Sequence, residues 1–285
     1  AQNARSPFSK AGEAVRTMRQ AEKMPDGVSE QQFYKDICPP LPDNYEPTVG
    51  EPKGLAVALA DRPFKPWVRK NWTDNDWRRH RWTYCRLTEL VDRQVGKVLA
   101  ALRSAGLDND TIVVFTADHG DMDASHRMEH KSMTYEQAAR IPLIFRRPGL
   151  TKPGHVDTTH LVCNGLDIYP TLCDLAGVKP AARLPGRSLA GLIAGEKPAE
   201  WRKYLMIETQ FSFGVTDGRY KYTLFDTAGP EELLCDLQTD PGEMKNLAAD
   251  PAQAQTLARM RKALADQAAE FKVKLPFPVP KGGNQ

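Results

Sequence analysis

The chain has 285 residues, 41% of them hydrophobic and 26% charged, which is enough for a large core and a second small unit. Its formal net charge of +3 is spread along the sequence and forms no basic block, so the electrostatic footprint of a nucleic-acid-binding protein is missing. No stretch approaches the ~20 consecutive apolar residues of a membrane span, the polar opening AQNARSPFSK has no apolar signal segment, and five cysteines without CxxC spacing or nearby histidines argue against a zinc site.

Residues 1–80 are rich in proline, charge and tryptophan, and CPPLPDNYEP and EPKG interrupt any long periodic run. The expectation is a mostly irregular stretch with short helices. So long an irregular opening is unusual at the natural start of a compact domain, which suggests that a segment precedes it. From Tyr84, the residues Leu87, Leu90, Val91, Val95, Val98, Leu99 and Leu102 recur at three- and four-residue spacing, the signature of one helix face, with Gly106 as a stop. TIVVFT at 111–116 is apolar and β-branched enough to predict a central strand buried on both faces.

IPLIF at 141–145 repeats that character, LDIYPTLCDLAG at 166–177 predicts a short helix closed by Gly177, and YLMIE at 204–208 another strand. This alternation is that of an α/β sheet. In GVTDGRYKYTLF, Asp217-Gly218 stands between two β-prone arms, a strong hairpin signal, and ELLCDL supplies a neighbouring strand. PAQAQTLARMRKALADQAAEF predicts a terminal helix with Leu257, Met260, Leu264 and Phe271 on one side. The expected division is an α/β part over 1–200, with 1–80 mostly irregular, and a small C-terminal α+β subdomain over 201–285.

The chemistry concentrates in TADHGDMDASHRMEHKSMTYEQAARIPLIF. Here a strand delivers a hard carboxylate, Asp118, and an imidazole, His119, at its C-terminal end, where open α/β sheets bind ligands. Gly120 lets the backbone turn or approach a neighbour without a Cβ. Asp121 and Asp123 are further candidate ligands that serve equally well as solvated loop carboxylates. Lys131, thirteen residues after Asp118, places an ammonium near the strand ends, a suitable partner for a dianionic ester. Taken singly, Asp-His-Gly is more often a turn, and a lone lysine more often a surface residue.

Together these residues carry a resemblance. The run from Thr111 to Phe145 resembles the sulfatase segment in which a strand ends in Asp-His or Asp-Asn, followed by Gly, a His eight residues after the Asp, a Lys at thirteen, and a Tyr-Glu-x-x-x-Arg-x-Pro run, here Tyr135, Glu136, Arg140 and Pro142. HLVCNGLDIYPTLCDLAGV and GRSLAGLIAGE resemble the helix and closing loop that follow. ELLCDLQTDPGEMKNLA is similar to the family's C-terminal signature through Asp236, Asp240, Pro241, Glu243, Asn246 and Leu247. The resemblance covers about 84–250.

It implies an alkaline-phosphatase-like α/β sandwich, present as its C-terminal part, with a small antiparallel C-terminal subdomain and a terminal helix. It also implies one Ca²⁺ ion per site and hydrolysis of sulfate esters or sulfamates. Asp118 and His119 match metal ligands and Lys131 a sulfate-contacting lysine. His126 matches a position near the pocket, and His130 is either a substrate-facing residue or loop. The implied partner is a sulfated small molecule or glycan, and the implied compartment is periplasmic, extracellular or lysosomal.

The family's formylglycine precursor motif, C/S-x-P-x-R, is not present. Cys38-Pro39-Pro40-Leu41-Pro42 imitates its first three positions, but Pro42 stands where Arg is required. The paired N-terminal Asp ligands and the Pro-His loop are also not found. The economical expectation is one missing N-terminal half that would carry all three, supply the remaining metal ligands and act as a partner. The chain alone would then be inactive, and buried-type strands such as TIVVFT would expose edges or apolar faces. Two alternatives remain: a phosphoester or phosphonate hydrolase of the same superfold, and a non-catalytic relative that binds sulfated glycans.

Overall fold

The computed structural model describes residues 7–131, 133–180, 184–226 and 229–280. It opens with helices where irregular chain is expected: α1 (Pro7–Glu22), α2 (Glu30–Gln32) running into a π turn at Phe33–Ile37, α3 (Lys53–Ala60) and α4 (Phe64–Asn71). Pro39, Pro40, Pro42 and Pro47 do interrupt the chain, in the non-helical stretch before α3, but other prolines open helices. Pro52 and Pro63 occupy the caps of α3 and α4, and the first turn of a helix tolerates proline because its N–H groups have no intrahelical partner.

Helix α5 (Asp74–Ser104) begins ten residues before Tyr84, from which the helix is predicted. Its start is set by a capping box: Asp76 N donates to Thr73 Oγ1 at 3.2 Å, and Thr73 N donates to Asp76 Oδ2 at 2.8 Å. Trp77, in the first turn, is fully buried and packs with Tyr45 and Ala124. It is the only residue of α5 classed as buried. Farther along, α1 lies beside the helix, while Val91 and Val98 of the predicted stripe remain 58% and 68% exposed.

Strand β1 (Val113–Thr116) pairs antiparallel with β2 (Leu143–Arg146), with Thr116 opposite Leu143 and Val113 opposite Arg146. The prediction of burial on both faces is not met, since Phe115 is 42% and Ile144 56% exposed. Between these strands lie a long loop and the single-turn helix α6 (Glu136–Ala139). Helices α7 (Asn164–Leu175) and α8 (Ala190–Ala194) follow.

A four-stranded antiparallel sheet in the order β3-β4-β5-β6 comes next, formed by β3 (Leu205–Glu208), β4 (Ser212–Thr216), β5 (Tyr220–Phe225) and β6 (Glu231–Asp236). The strand expected to extend the α/β sheet, YLMIE, is β3 and pairs with β4. The Asp217-Gly218 hairpin forms as expected: Gly218 has φ +90°, and Asp217 Oδ1 accepts from Arg219 N and Tyr220 N. Helix α9 (Ala254–Phe271) seals one sheet face, with Leu257, Met260 and Leu264 packed against Val215, Tyr222, Leu224 and Leu234. No helix among the described residues is long and apolar enough to cross a membrane.

The opposite sheet face positions the site. Phe225, Leu233 and Cys235 share a buried cluster with Leu55, Ala58 and Leu59 of α3, and between them lie Met122, Met128, Met133 and Tyr135 from the loop after β1. That loop is therefore held in a core. Burying one such side chain stabilises by roughly 1.5–3 kcal/mol.

Candidate metal and anion site

Three side chains meet at the C-terminal end of β1. Upstream of them, Asn164 Nδ2 donates to Ala117 O at 2.7 Å and Thr116 Oγ1 donates to Pro142 O at 2.9 Å, so the strand end is tied to α7 and to the entry of β2. Downstream, Gly120 N donates to Ala138 O at 2.9 Å. A Cβ on Gly120 would lie 1.9 Å from Gln137 O, so only glycine lets the strand end come this close to α6.

His119 Nδ1 lies 2.7 Å from Gly120 O, which can only accept. Nδ1 is therefore the donor and Nε2 the lone-pair nitrogen, the orientation a metal-ligating histidine takes from a carbonyl partner. Asp118 Oδ2 is 3.3 Å from that Nε2, and Lys131 Nζ donates to it at 2.5 Å. The Asp118 side chain is 84% exposed and that of His119 37%, so the pair faces solvent. Carboxylate oxygen and preset imidazole fit part of a metal sphere. Among the described residues no group of three or more His, Cys, Asp or Glu is placed to hold an ion.

The other loop acids are engaged elsewhere. Asp121 Oδ1 accepts from Asp123 N at 2.9 Å, and Asp123 pairs with Arg81 of α5 at 3.0 Å, with burial raising its carboxyl above the usual range. The loop is strained: Asp123, Ala124, His126, Arg127 and His130 all have φ between +43° and +75°. Such conformations persist where the surroundings over-determine them. Here the buried Met122, Ala124 and Met128 do so, with Met122 N donating to His130 O and Ala124 N to Met128 O.

His126, which the resemblance matches to a position near the pocket, is fully buried. Its ring stacks on Tyr135 at 4.2 Å, with Nδ1 3.2 Å from Thr48 Oγ1 and Nε2 3.5 Å from Asn44 Nδ2. Burial, seconded by the charge of Arg69, lowers its pKa to about 4. His130 is different: its side chain is 58% exposed, it is ion-paired to the buried Glu129, and that bond raises its pKa. Cys38, 6% exposed, donates from Sγ to Arg78 O at 3.3 Å, and burial raises its thiol pKa, the behaviour of a packed cysteine.

One set of residues was not foreseen. Lys221, on β5, has a side chain only 1% exposed, with Nζ 2.9 Å from Glu136 Oε1 and 2.7 Å from Glu243 Oε1. Glu243 Oε2 accepts from Glu136 N at 2.7 Å, satisfying a free N–H at the start of α6. The C-terminal sheet thereby holds the helix against which Gly120 rests. Glu136 and Glu243 stand in the quoted motifs, but nothing in the sequence shows that Lys221 joins them.

The family model described as Sulfatase matches residues 23–178, and that described as N-sulphoglucosamine sulphohydrolase, C-terminal, matches residues 124–270. The chain belongs to the sulfatase family of the alkaline-phosphatase-like superfamily. It is 39% identical over 254 residues to the Delta 4,5-hexuronate-2-O-sulfatase of Bacteroides thetaiotaomicron, a match covering 84% of this chain and 52% of that protein. The chain thus spans about half the length of this curated relative.

Among solved structures, a Bacteroides thetaiotaomicron protein described as a sulfatase superimposes with a TM-score of 0.77 at 29% identity, covering 95% of this chain and 67% of the other. A 2-O GAG sulfatase gives a TM-score of 0.77 at 31% identity, over 94% of this chain and 58% of the other.

Proposed function

We propose that the protein hydrolyses sulfate esters of acidic sugars, with Asp118 and His119 as part of a Ca²⁺ sphere and Lys131 as the sulfate contact. The observation that carries this is the meeting of Asp118 Oδ2 and Lys131 Nζ on the lone-pair nitrogen of His119, at the end of β1. A bound divalent cation supplies Lewis-acid stabilisation of charge developing on sulfate oxygens. Lys131 now donates to His119, and a sulfate at this place offers oxygens that accept the same proton in a stronger, charge-assisted bond. Gly120 and α6 hold the strand end so that both ligands and the lysine keep one geometry.

Covalent catalysis also needs a nucleophile, and none of this chain's residues is assigned that role. The reading takes 201–285 as a separate small subdomain, and a periplasmic, extracellular or lysosomal place of action. The 39% identity to a hexuronate 2-O-sulfatase supports a sulfated uronate as the substrate class.

The test is turnover by the full-length protein of a 2-O-sulfated unsaturated uronate disaccharide, 4-nitrophenyl sulfate and 4-nitrophenyl phosphate, with Ca²⁺ or with chelator. Sulfate release that falls at least about 100-fold with chelator and in Lys131→Ala is expected, as for loss of an electrostatic contact in the transition state. Faster phosphate than sulfate release, or sulfate turnover indifferent to Lys131, overturns the proposal.

A further inference from the structure

We propose that the α3–α4 hairpin is a docking surface for a polyanionic glycan, a sulfated, uronate-bearing chain in which the sugar carrying the scissile sulfate is one unit. The choice of a glycan rests on the function proposed above, while the surface itself rests on charge, exposure and helix geometry.

Positive charge is concentrated here. Residues 53–71 hold five lysines and arginines against one aspartate, a surplus of four in a chain whose net charge is +3. Asp61 and the neighbouring Glu51 are both engaged: Asp61 lies 3.5 Å from Arg62, and Glu51 accepts from both terminal nitrogens of Arg69. Lys53 and Lys70 are exposed and have no ion-pair partner among the described residues. Lys65 has none either, although it is only 6% exposed. The hairpin therefore keeps a net positive potential.

Apolar groups lie among these cations. Phe64, Trp67 and Lys70 follow one another at three-residue spacing on α4, so they are neighbours on one exposed side of the helix, with Trp67 59% exposed. From first to last they span ~9 Å along the axis, longer than a single sugar ring. Lys70 also lines a cleft of about 230 Å³ between α3 and α4, together with Ala56, Leu59, Pro66 and Arg69. The aromatic row and the cleft are thus one continuous surface.

This surface is set before any ligand arrives. Leu55, Ala58 and Leu59 anchor α3 in the core, Val68 is buried under α4, and Arg69 is fixed by Glu51 and by His126 O at 3.2 Å. The ring of Phe64 meets that of His130 edge-on at 5.8 Å, so the hairpin adjoins the loop between β1 and α6. Rings and lysines on one side suit a sulfated sugar, whose C–H face stacks on an aromatic ring while its anionic substituents reach the ammonium groups. A helix lying in a membrane interface instead carries its cations on the face opposite the apolar one.

The test uses full-length wild type, Trp67→Ala and the double variant Lys53→Gln/Lys70→Gln, with calorimetric Kd values for a disaccharide and an octasaccharide of sulfated glucosamine and uronate. Both probes lack the 2-O-sulfate, so neither is consumed at that position. Wild type should bind the octasaccharide at least about ten-fold more tightly than the disaccharide, and more weakly as salt rises. Each variant should reduce that length preference at least about five-fold, and the lysine variant should also lose most of the salt dependence.

Equal wild-type affinity for the two probes, or variants that keep the preference, overturns the surface. Binding to phosphatidylcholine–phosphatidylserine vesicles that Trp67→Ala abolishes, without any octasaccharide preference, makes the hairpin a membrane contact and overturns the glycan assignment. Should the full-length protein release no sulfate from 2-O-sulfated substrate, the function proposal fails, and these affinities still decide the surface. Should Trp67→Ala not fold, the lysine variant decides it.

Discussion

His126 makes the clearest test of how the loop after β1 is built. In the fold its imidazole is fully buried and its pKa is lowered to about 4 from 6.5, chiefly by burial. The unfolded chain therefore takes up its proton first, and folding stability should be full above about pH 6.5 and fall as the pH drops toward 4. At ~1.36 kcal/mol per pH unit, the total is roughly 3 kcal/mol, of which about 2 kcal/mol should be gone at pH 5, before most carboxylates titrate. The assay is urea unfolding at pH 7 and pH 5, for wild type and His126→Gln. The variant loses packing at both pH values, so the informative quantity is the difference in pH dependence. Wild type should lose about 2 kcal/mol more than the variant between those values. The same loss in both proteins would refute the buried assignment and return His126 to a solvent-facing place near the pocket.

Three further outcomes follow from contacts described above. Gly120→Ala must displace α6 or the strand end, because its Cβ would lie 1.9 Å from Gln137 O; a stability loss of about 1–3 kcal/mol in urea unfolding should accompany weaker Ca²⁺ binding by calorimetry. Lys221→Met leaves Glu243 buried without its cation and should cost about 3–5 kcal/mol, with the added change Glu243→Gln restoring part of it; equal stability of the single and double variants would count against the ion pair. Thr73→Ala removes the side-chain cap of α5 and should cost about 1 kcal/mol in the same assay, with no change in site properties.

Much of the C-terminal half was legible because its signals are local. A two-residue Asp-Gly turn sets the β4–β5 hairpin by itself, and the spacing of Leu257, Met260 and Leu264 marks the face of α9. The start of α5 was missed because its capping box uses Asp76 at the position where glutamate or glutamine is the usual sign. The prolines at 39–47 interrupt the chain as their clustering suggests, but Pro52 opens α3, and the sequence alone does not say whether a proline opens a helix or interrupts one. TIVVFT has the composition of a strand covered on both faces, yet Phe115 is 42% exposed, since what covers a strand is tertiary information. At the site, Asp118, His119 and Lys131 stood out by their place after a strand and their spacing. The histidines between them looked alike in sequence, and only packing separates the buried His126 from the exposed His130.

The dependence of the site on distant residues has a physical basis in how few anchors a strand end possesses. Past Thr116 the chain leaves its ladder, and the Asp118–Gly120 segment keeps its position through bonds to Asn164, Pro142 and Ala138. The last of these is on α6, a helix of four residues, too short to be stable on its own. It is held from its first N–H by Glu243 and from the Glu136 side chain by Lys221. Glu243 itself stands at φ +57° in a segment bound to the N-terminal region, with Val49 N donating to Met244 O and Asn246 N to Val49 O. A buried lysine between two glutamates is a weak source of stability compared with apolar packing, because desolvation offsets most of its attraction. It does, however, admit one arrangement of three segments, and a hydrophobic replacement at Lys221 would remove that directional constraint. The ion cluster is therefore best understood as fixing the register of α6 against Gly120, so that the C-terminal sheet is part of what sets Asp118 and His119.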